Sequence, residues 1–195
     1  MATRTTGTSD DSSSNPTSKL DIATAFIGSM MTQKMISSKT TQFGMYTYGD
    51  AVTNNYLNTT QGEDQYMNVN EIFSISRPGS LSLQAIRDVR TSDVSGDMID
   101  GIVVAQDALV RTNEKYKFNR VMVLFTDGET EVSGIEDMEQ IVSGMRMKNC
   151  LLFVGLIGKV HEASSSVKRG NAVMLQDIAM VSKSDQKHPM SQLTV

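Results

Sequence analysis

The chain has 195 residues, 39% of them apolar, a formal net charge of −4 and a sequence pI near 5.2. That length suits one domain with a real core, and no apolar run approaches the roughly 18 residues of a membrane span. Its 18 Lys and Arg are scattered and outnumbered by 22 Asp and Glu, which excludes the basic footprint of a surface that grips nucleic acid by itself. The single cysteine, Cys150, lies in an apolar run and reads as a small core hydrophobe without an internal disulfide partner. Arg4 is followed by no apolar segment, so no secretory signal is expected and a reducing compartment is the default.

In chain order, Met1 to Ser18 is rich in Ser, Thr, Asp and Asn with no periodicity, and is expected to be a disordered amino-terminal segment. Leu20, Ala23, Ile27, Met31 and Met35 recur at spacings of three and four, predicting an amphipathic helix. Gln42 to Tyr48 alternates as a strand does, and Gly49 with Asp50 ends it. The Asn- and Thr-rich segment Val52 to Gly62 reads as a surface loop, and Met67 to Ser76 as a second strand broken by Arg77, Pro78 and Gly79. A short helix from Ser80 (Leu83, Ile86, Val89) follows. After a break at Asp93 to Gly96 comes a helix whose apolar residues, Met98 to Leu109, cover most of its circumference, so it is expected to be buried.

Val121 to Phe125 is too short for a buried helix and reads as a strand covered on both faces, with Thr126, Asp127, Gly128 and Glu129 at its carboxyl end, where open α/β sheets place their ligand sites. A helix from Gly134 to Lys148 and a strand from Cys150 to Ile157 complete a strand, helix, strand unit. A polar loop, Val160 to Gly170, leads to a last helix (Val173, Leu175, Ile178, Val181) and to a polar tail. The methionines at 30, 31, 35, 98, 138 and 145 fall on apolar helix faces and read as core filling. The class is α/β, doubly wound and Rossmann-like, in one domain over residues 19–182 between a disordered segment at 1–18 and a flexible tail at 183–195.

Several residue patterns bear on chemistry. Asp127 admits two readings: a turn cap, or one ligand of a hard divalent cation such as Mg²⁺. Gly155, Gly158 and Lys159 miss the spacing of a phosphate-binding loop, and Val160 stands where Ser or Thr belongs, so ATPase or helicase chemistry has no motif. His161 and His188 share no metal spacing and have no nucleophile in a strained turn beside them. No catalytic residue and no cofactor is expected.

The strand ending Leu124 to Glu129, preceded by a buried helix, resembles a von Willebrand factor A domain. The resemblance implies a three-layer sandwich with a mostly parallel sheet, and often a metal site built from three loops. The third loop is the Asp127 turn. Asp10, Ser12 and Ser14 match the spacing of the first loop but follow no strand, and Thr91, Ser92, Asp93 and Ser95 offer the second without a clean match.

Gly62, Asp64, Gln65, Tyr66, Asn68 and Val69 reproduce a segment of the larger (eighty-kilodalton) subunit of Ku, the heterodimer that binds broken DNA ends, and the likeness covers about Leu20 to Lys159. It implies a protein-interaction module acting in double-strand break repair by nonhomologous end joining and in telomere maintenance. It further implies a nuclear protein, partnered by the smaller Ku subunit and other end-joining or telomere factors, reaching DNA ends only through the full-length complex. The alternative is a metal-dependent ligand-binding A domain outside DNA repair. Two family features are missing from these 195 residues, the DNA-encircling barrel and the apolar first strand, and the sequence is read as truncated. The neighbours of the missing strand are expected to pair with each other, or to draft in residues of Met1 to Ser18, or to leave the polypeptide unstable and prone to aggregate through open edges; the last is favoured, with a structure showing the gap or a closed sheet and a loose amino-terminal segment.

Overall fold

The computed structural model describes residues 18–112, 119–133, 138–158 and 165–183, with side chains to residue 179. Helix α1 (Lys19–Ser37) opens with a reciprocal cap. Ser18 Oγ accepts the Asp21 N–H at 3.0 Å and the Asp21 carboxylate accepts the Ser18 N–H at 2.9 Å, satisfying two amides that the first turn leaves free. Strand β1 (Phe43–Tyr48) stops at Gly49, whose φ of +69° suits glycine. Helix α2 (Tyr56–Gln61) precedes strand β2 (Val69–Ser76), which runs antiparallel to β1 with Tyr48 opposite Val69 and Phe43 opposite Ser76.

Pro78 ends that strand, and helices α3 (Ser80–Asp88) and α4 (Met98–Thr112) follow. Strand β3 (Arg120–Thr126), helix α5 (Met138–Met147) and strand β4 (Cys150–Leu156) form a parallel unit in continuous register, Arg120 opposite Cys150 through Thr126 opposite Leu156. Helix α6 (Ser166–Lys183) closes the described chain.

The order of strands and helices is the expected α/β alternation. Its sheet is divided: β1 pairs with β2, β3 pairs with β4, and among the described residues no backbone bond joins β1 to β3. Direct pairing of β1 with β3 is therefore absent among the described residues, and the alternative in which residues of the amino-terminal segment are drafted in lies outside them. Residues 1–17, with Asp10, Ser12 and Ser14, and most of the tail lie outside the described residues.

The main core is shared by Met98, Ile99 and Ile102 of α4, Met122 and Leu124 of β3, Ile141 and Met145 of α5, Cys150 and Leu152 of β4, and Leu175 and Ile178 of α6. A smaller cluster joins Leu57 of α2, Val69 of β2 and Val104 of α4. Burial pushes the Cys150 thiol up to about 11, against the opposing charge of Arg120, so Cys150 is an inert core residue, as the sequence implied.

Four sequence expectations need correction. Val52 to Gly62 is not all loop: α2 forms there because Asn55 caps it and Leu57 anchors it in the smaller cluster. The central strand is not covered on both faces. Met122, Leu124 and Thr126 are buried, whereas on the other face Val121 is 40% exposed and Phe153, opposite Val123 on β4, is 46% exposed, where the described cover is α1, through Phe26 against Phe125 with ring centroids 5.3 Å apart. The last loop is shorter than read, since α6 already begins at Ser166. Met31, Met98 and Met145 fill the core as expected, but Met35 is exposed near the end of α1.

Leu124 sits in the main core, so Leu124→Ala should cost about 2 to 5 kcal/mol through lost burial and a residual cavity. Urea denaturation measures it, and a loss below about 1 kcal/mol would mean that β3 is not central to the fold.

Candidate functional site: the rim at the strand ends

The carboxyl ends of β1 and β3 lie on the same edge of the molecule. The phenol of Tyr48, last in β1, stands beside the hydroxyl of Thr126, last in β3. Burial raises the Tyr48 pKa while Thr126 pulls it down. Thr126 Oγ1 accepts the Gly128 N–H at 3.0 Å and Asp127 Oδ1 accepts the Glu129 N–H at 3.2 Å, so the turn after β3 is capped by its own side chains. Gly128 adopts a φ of +69°.

Two ammonium groups occupy this turn. Lys19 Nζ, on the first residue of α1, lies 2.9 Å from Asp127 Oδ2 and 3.0 Å from Glu129 Oε1. Lys168 Nζ, on a buried residue of α6, lies 3.2 Å from the same Glu129 oxygen. Asn171, also buried, donates through Nδ2 to Gly128 O at 2.9 Å and Thr130 O at 2.8 Å. Partial burial works against the ionised form of Asp127. The Lys19 hydrogen bond, the Glu129 amide and the charges of Lys19 and Lys168 together outweigh it, so the carboxyl is held below its ordinary value of 3.8. Glu129 is lowered by Lys19 first and Lys168 second, and Lys19 is raised by Asp127 first and Glu129 second.

These residues do not fit a hard divalent cation. Such an ion needs about six oxygens, and the Asp127 and Glu129 carboxylates already face lysine ammonium groups that would repel it. Asp97 is committed elsewhere, accepting the Ile99 N–H at 2.8 Å, the Ser133 N–H at 2.7 Å and the Ser133 hydroxyl. Burial, then the charge of Asp97, raises Asp100. Thr91, Ser92, Asp93 and Ser95 are exposed, and no group of three His, Cys, Asp or Glu with metal geometry exists among the described residues.

The Gly62 to Val69 segment forms the next stretch of the same rim. Gly62 caps α2 at a φ of +141°, while Tyr66 and Asn68 take φ values of +51° and +59°. The loop holds these left-handed residues through two asparagines. Asn55 Nδ2 donates to Tyr66 O at 3.0 Å and Val69 O at 2.9 Å, and Asn58 Nδ2 donates to Glu63 O at 3.0 Å and Gln65 O at 2.8 Å. Val69 is fully buried and Tyr66 packs on its cluster. Asp64 and Gln65 are exposed, while Asn55 caps α2 by accepting the Asn58 N–H at 2.8 Å.

Asn68 Nδ2 reaches Ser95 O at 3.4 Å. Beside it, Gly96 packs so tightly on β1 that a Cβ there would lie 2.0 Å from Gly49 N. The rim thus runs from the Gly62 loop through Ser95 to Asp97 and its partner Ser133.

Lys168, Asn171, Asn55 and Lys19 carry the rim yet were missed by sequence reasoning. A signal existed for two of them: Lys168 and Asn171 continue the stripe of Leu175 and Ile178 along α6, and polar residues inside an apolar stripe point to buried partners.

Two predictions follow from this geometry. Asn55→Ala removes a helix cap and the donor to two loop carbonyls, and should cost about 1 to 3 kcal/mol by urea denaturation. Lys19→Met should cost about 1 kcal/mol or less, because the pair is half exposed. Its pH profile follows from the shifts. The lowered Asp127 and Glu129 contribute above 3.8 and 4.5 and are lost as pH falls through their folded values. The raised Lys19 contributes below 10.5 and is lost as pH rises through its folded value. Melts of the two proteins should therefore differ by a constant amount from about pH 5 to about pH 10 and converge at both extremes.

Comparison with known proteins agrees with this architecture. The model of the von Willebrand factor type A domain matches residues 9–187. The chain is 23% identical over 186 residues to X-ray repair cross-complementing protein 5 of Dictyostelium discoideum, covering 89% of this chain and 23% of that protein. It is 27% identical over 143 residues to ATP-dependent DNA helicase II subunit 2 of Chaetomium globosum, covering 70% and 19%. It is 24% identical over 146 residues to ATP-dependent DNA helicase 2 subunit KU80 of Arabidopsis thaliana, covering 68% and 21%. The chain thus spans about a fifth to a quarter of these relatives. Among solved structures, the VWA domain of SpRpn10 superposes with a TM-score of 0.57 at 18% identity, covering 86% of this chain and 71% of that one, which shows the shared fold. This chain belongs to the von Willebrand factor type A family, and its curated relatives are of the large Ku subunit type.

Proposed function

We propose that this chain is a docking module of the large Ku subunit type, serving double-strand break repair by nonhomologous end joining and telomere maintenance in the nucleus. Its partners in this reading are the smaller Ku subunit and other end-joining or telomere factors, and it meets DNA ends only within a larger complex. The observation that carries the reading is the Gly62 to Val69 loop. Its backbone is fixed by two asparagines while Asp64 and Gln65 stand in solvent, the arrangement of a rigid recognition surface. The names and low-identity similarity of the relatives support the same assignment.

Two relatives bear helicase names, and the reading assigns none of that chemistry to this chain. Gly155 lies inside β4 against the Phe125 ring, where a Cβ would meet ring carbons at 2.6 Å, so it belongs to strand packing and not to a phosphate loop. The lysine-filled turn at Asp127 favours a module that works without Mg²⁺.

Co-expression with the smaller Ku subunit followed by gel filtration tests the assignment. A stable complex is the expected result, and two separately eluting proteins would contradict it. With duplex DNA ends at physiological salt, the isolated chain should bind more weakly than the roughly micromolar level of nonspecific binders, and calorimetric titration with Mg²⁺ should give no binding heat. A nanomolar gel shift would overturn the first expectation and a saturable Mg²⁺ isotherm the second.

A further inference from the structure

We propose that the groove between α5 and α6 is a second docking site, fitted to an amphipathic helix of a partner protein that carries lysine or arginine along its flanks. The site lies apart from the Gly62 loop and stands whichever partner that loop serves. The two helices turn Ile141 and Met145 of α5, and Leu175 and Ile178 of α6, into the main core. Between their outer sides lies an open groove of about 980 Å³. Its lining is largely apolar: Met138 and Val142 of α5, Val167 and Met174 of α6, and Val132 from the loop before α5 are all half-buried, and Val173 is 61% exposed.

The walls fix the shape of the occupant. Met138, Val142 and Arg146 stand one turn apart along α5, as Gly170, Met174 and Ile178 do along α6, and two such rows at a spacing of four frame the kind of channel into which a third helix sets its own ridge. Gly170 interrupts the α6 row. A Cβ built on it would meet nothing within 4 Å, so a partner helix can come close there. α5 has 10 residues, a length of about 15 Å, which matches a partner helix of about three turns.

Charge fixes its chemistry. Glu131, Glu139 and Asp177 stand exposed along the groove, and none of them takes part in an ion pair among the described residues. Arg146 is the one cation of the lining and is already engaged. An apolar floor with a negative edge is complemented by an apolar face with a positive one. A neutral apolar ligand would leave those carboxylates unanswered.

Other occupants fit less well. A second copy docked about a two-fold axis would bring the same acidic edge with it and set like charges opposite each other. Residues 184–195 hold one lysine and have Pro189 near their centre, which is not the sequence of a basic helix of three turns. The four residues between Ser133 and Met138 include Glu136 and Asp137 and no cation.

Fluorescence anisotropy on the full 195-residue chain tests the proposal. The probe is a labelled helical peptide of about twelve residues with leucines on one face and lysines on both flanks, and the control carries glutamates in place of the lysines. Gly170→Leu fills the groove from a position with room for the side chain, and Glu139→Lys combined with Asp177→Lys reverses its edge. The lysine peptide should bind at low salt and lose about tenfold or more in affinity with either variant, while the glutamate peptide should bind the charge-reversed chain better than the original. That exchange of preference reads the charge of the groove even if Gly170→Leu fails to fold. No binding of the lysine peptide at about millimolar concentration, or binding that neither variant changes, would overturn the proposal. So would tighter peptide binding by Leu193→Asp, which would assign the groove to the chain's own tail, and so would self-association of the peptide-free chain that Gly170→Leu abolishes, which would assign it to a second copy.

Discussion

Among the described residues everything in this fold depends on α4, because there backbone pairing does not cross from the β1–β2 pair to the β3–β4 pair. In an ordinary doubly wound domain, hydrogen bonds run from edge to edge and make the strands one cooperative layer. Among the described residues they stop at β1 and at β3. α4 replaces them with side chains, placing Met98, Ile99 and Ile102 in the β3–β4 core and Val104 in the β1–β2 cluster, with Val103 against both. Burial is non-directional, so one helix can serve two strand pairs without fixing their register. α1 adds a second tie on the other side, through Lys19 to the Asp127 turn and Phe26 to Phe125.

The same arrangement shapes the rim. Because the start of α1 lands at the end of β3, a lysine ammonium lies where the charge of Asp127 and Glu129 would otherwise attract a cation. The site is thereby neutral and structural, and the exposed chemistry moves to the neighbouring Gly62 loop, which asparagine side chains hold in left-handed conformations. Strain of this kind persists only where surrounding bonds over-determine it, and four asparagine donor bonds do so here.

Much of this was legible in the sequence, for identifiable reasons. Five apolar residues ending in Thr126 and Asp127 can only be a strand leading to a turn, and the stripe from Met98 to Leu109 can only be a buried helix. Those two features placed the core and the rim. Cover on the second face of β3 was not legible, because an apolar run says that a strand prefers burial and not whether a layer exists to bury it. Val121 and Phe153 are exposed for that reason. α2 was hidden by composition: its six residues include Asn58, Thr59, Thr60 and Gln61, and its stability comes from a cap and from Leu57 rather than from periodicity. Lys19 and Lys168 were hidden because ion pairs spanning 108 and 39 residues leave no local pattern.

If α4 is what makes two strand pairs one domain, then damage on one side of it must be felt on the other. Val104→Ala shortens a side chain that lies only in the β1–β2 cluster. Native-state hydrogen exchange should then show the opening free energies of β1, β2, β3 and β4 amides falling together by about 1 to 3 kcal/mol. A loss confined to β1 and β2, with β3 and β4 unchanged, would show that the pairs are stable independently and that α4 does not couple them.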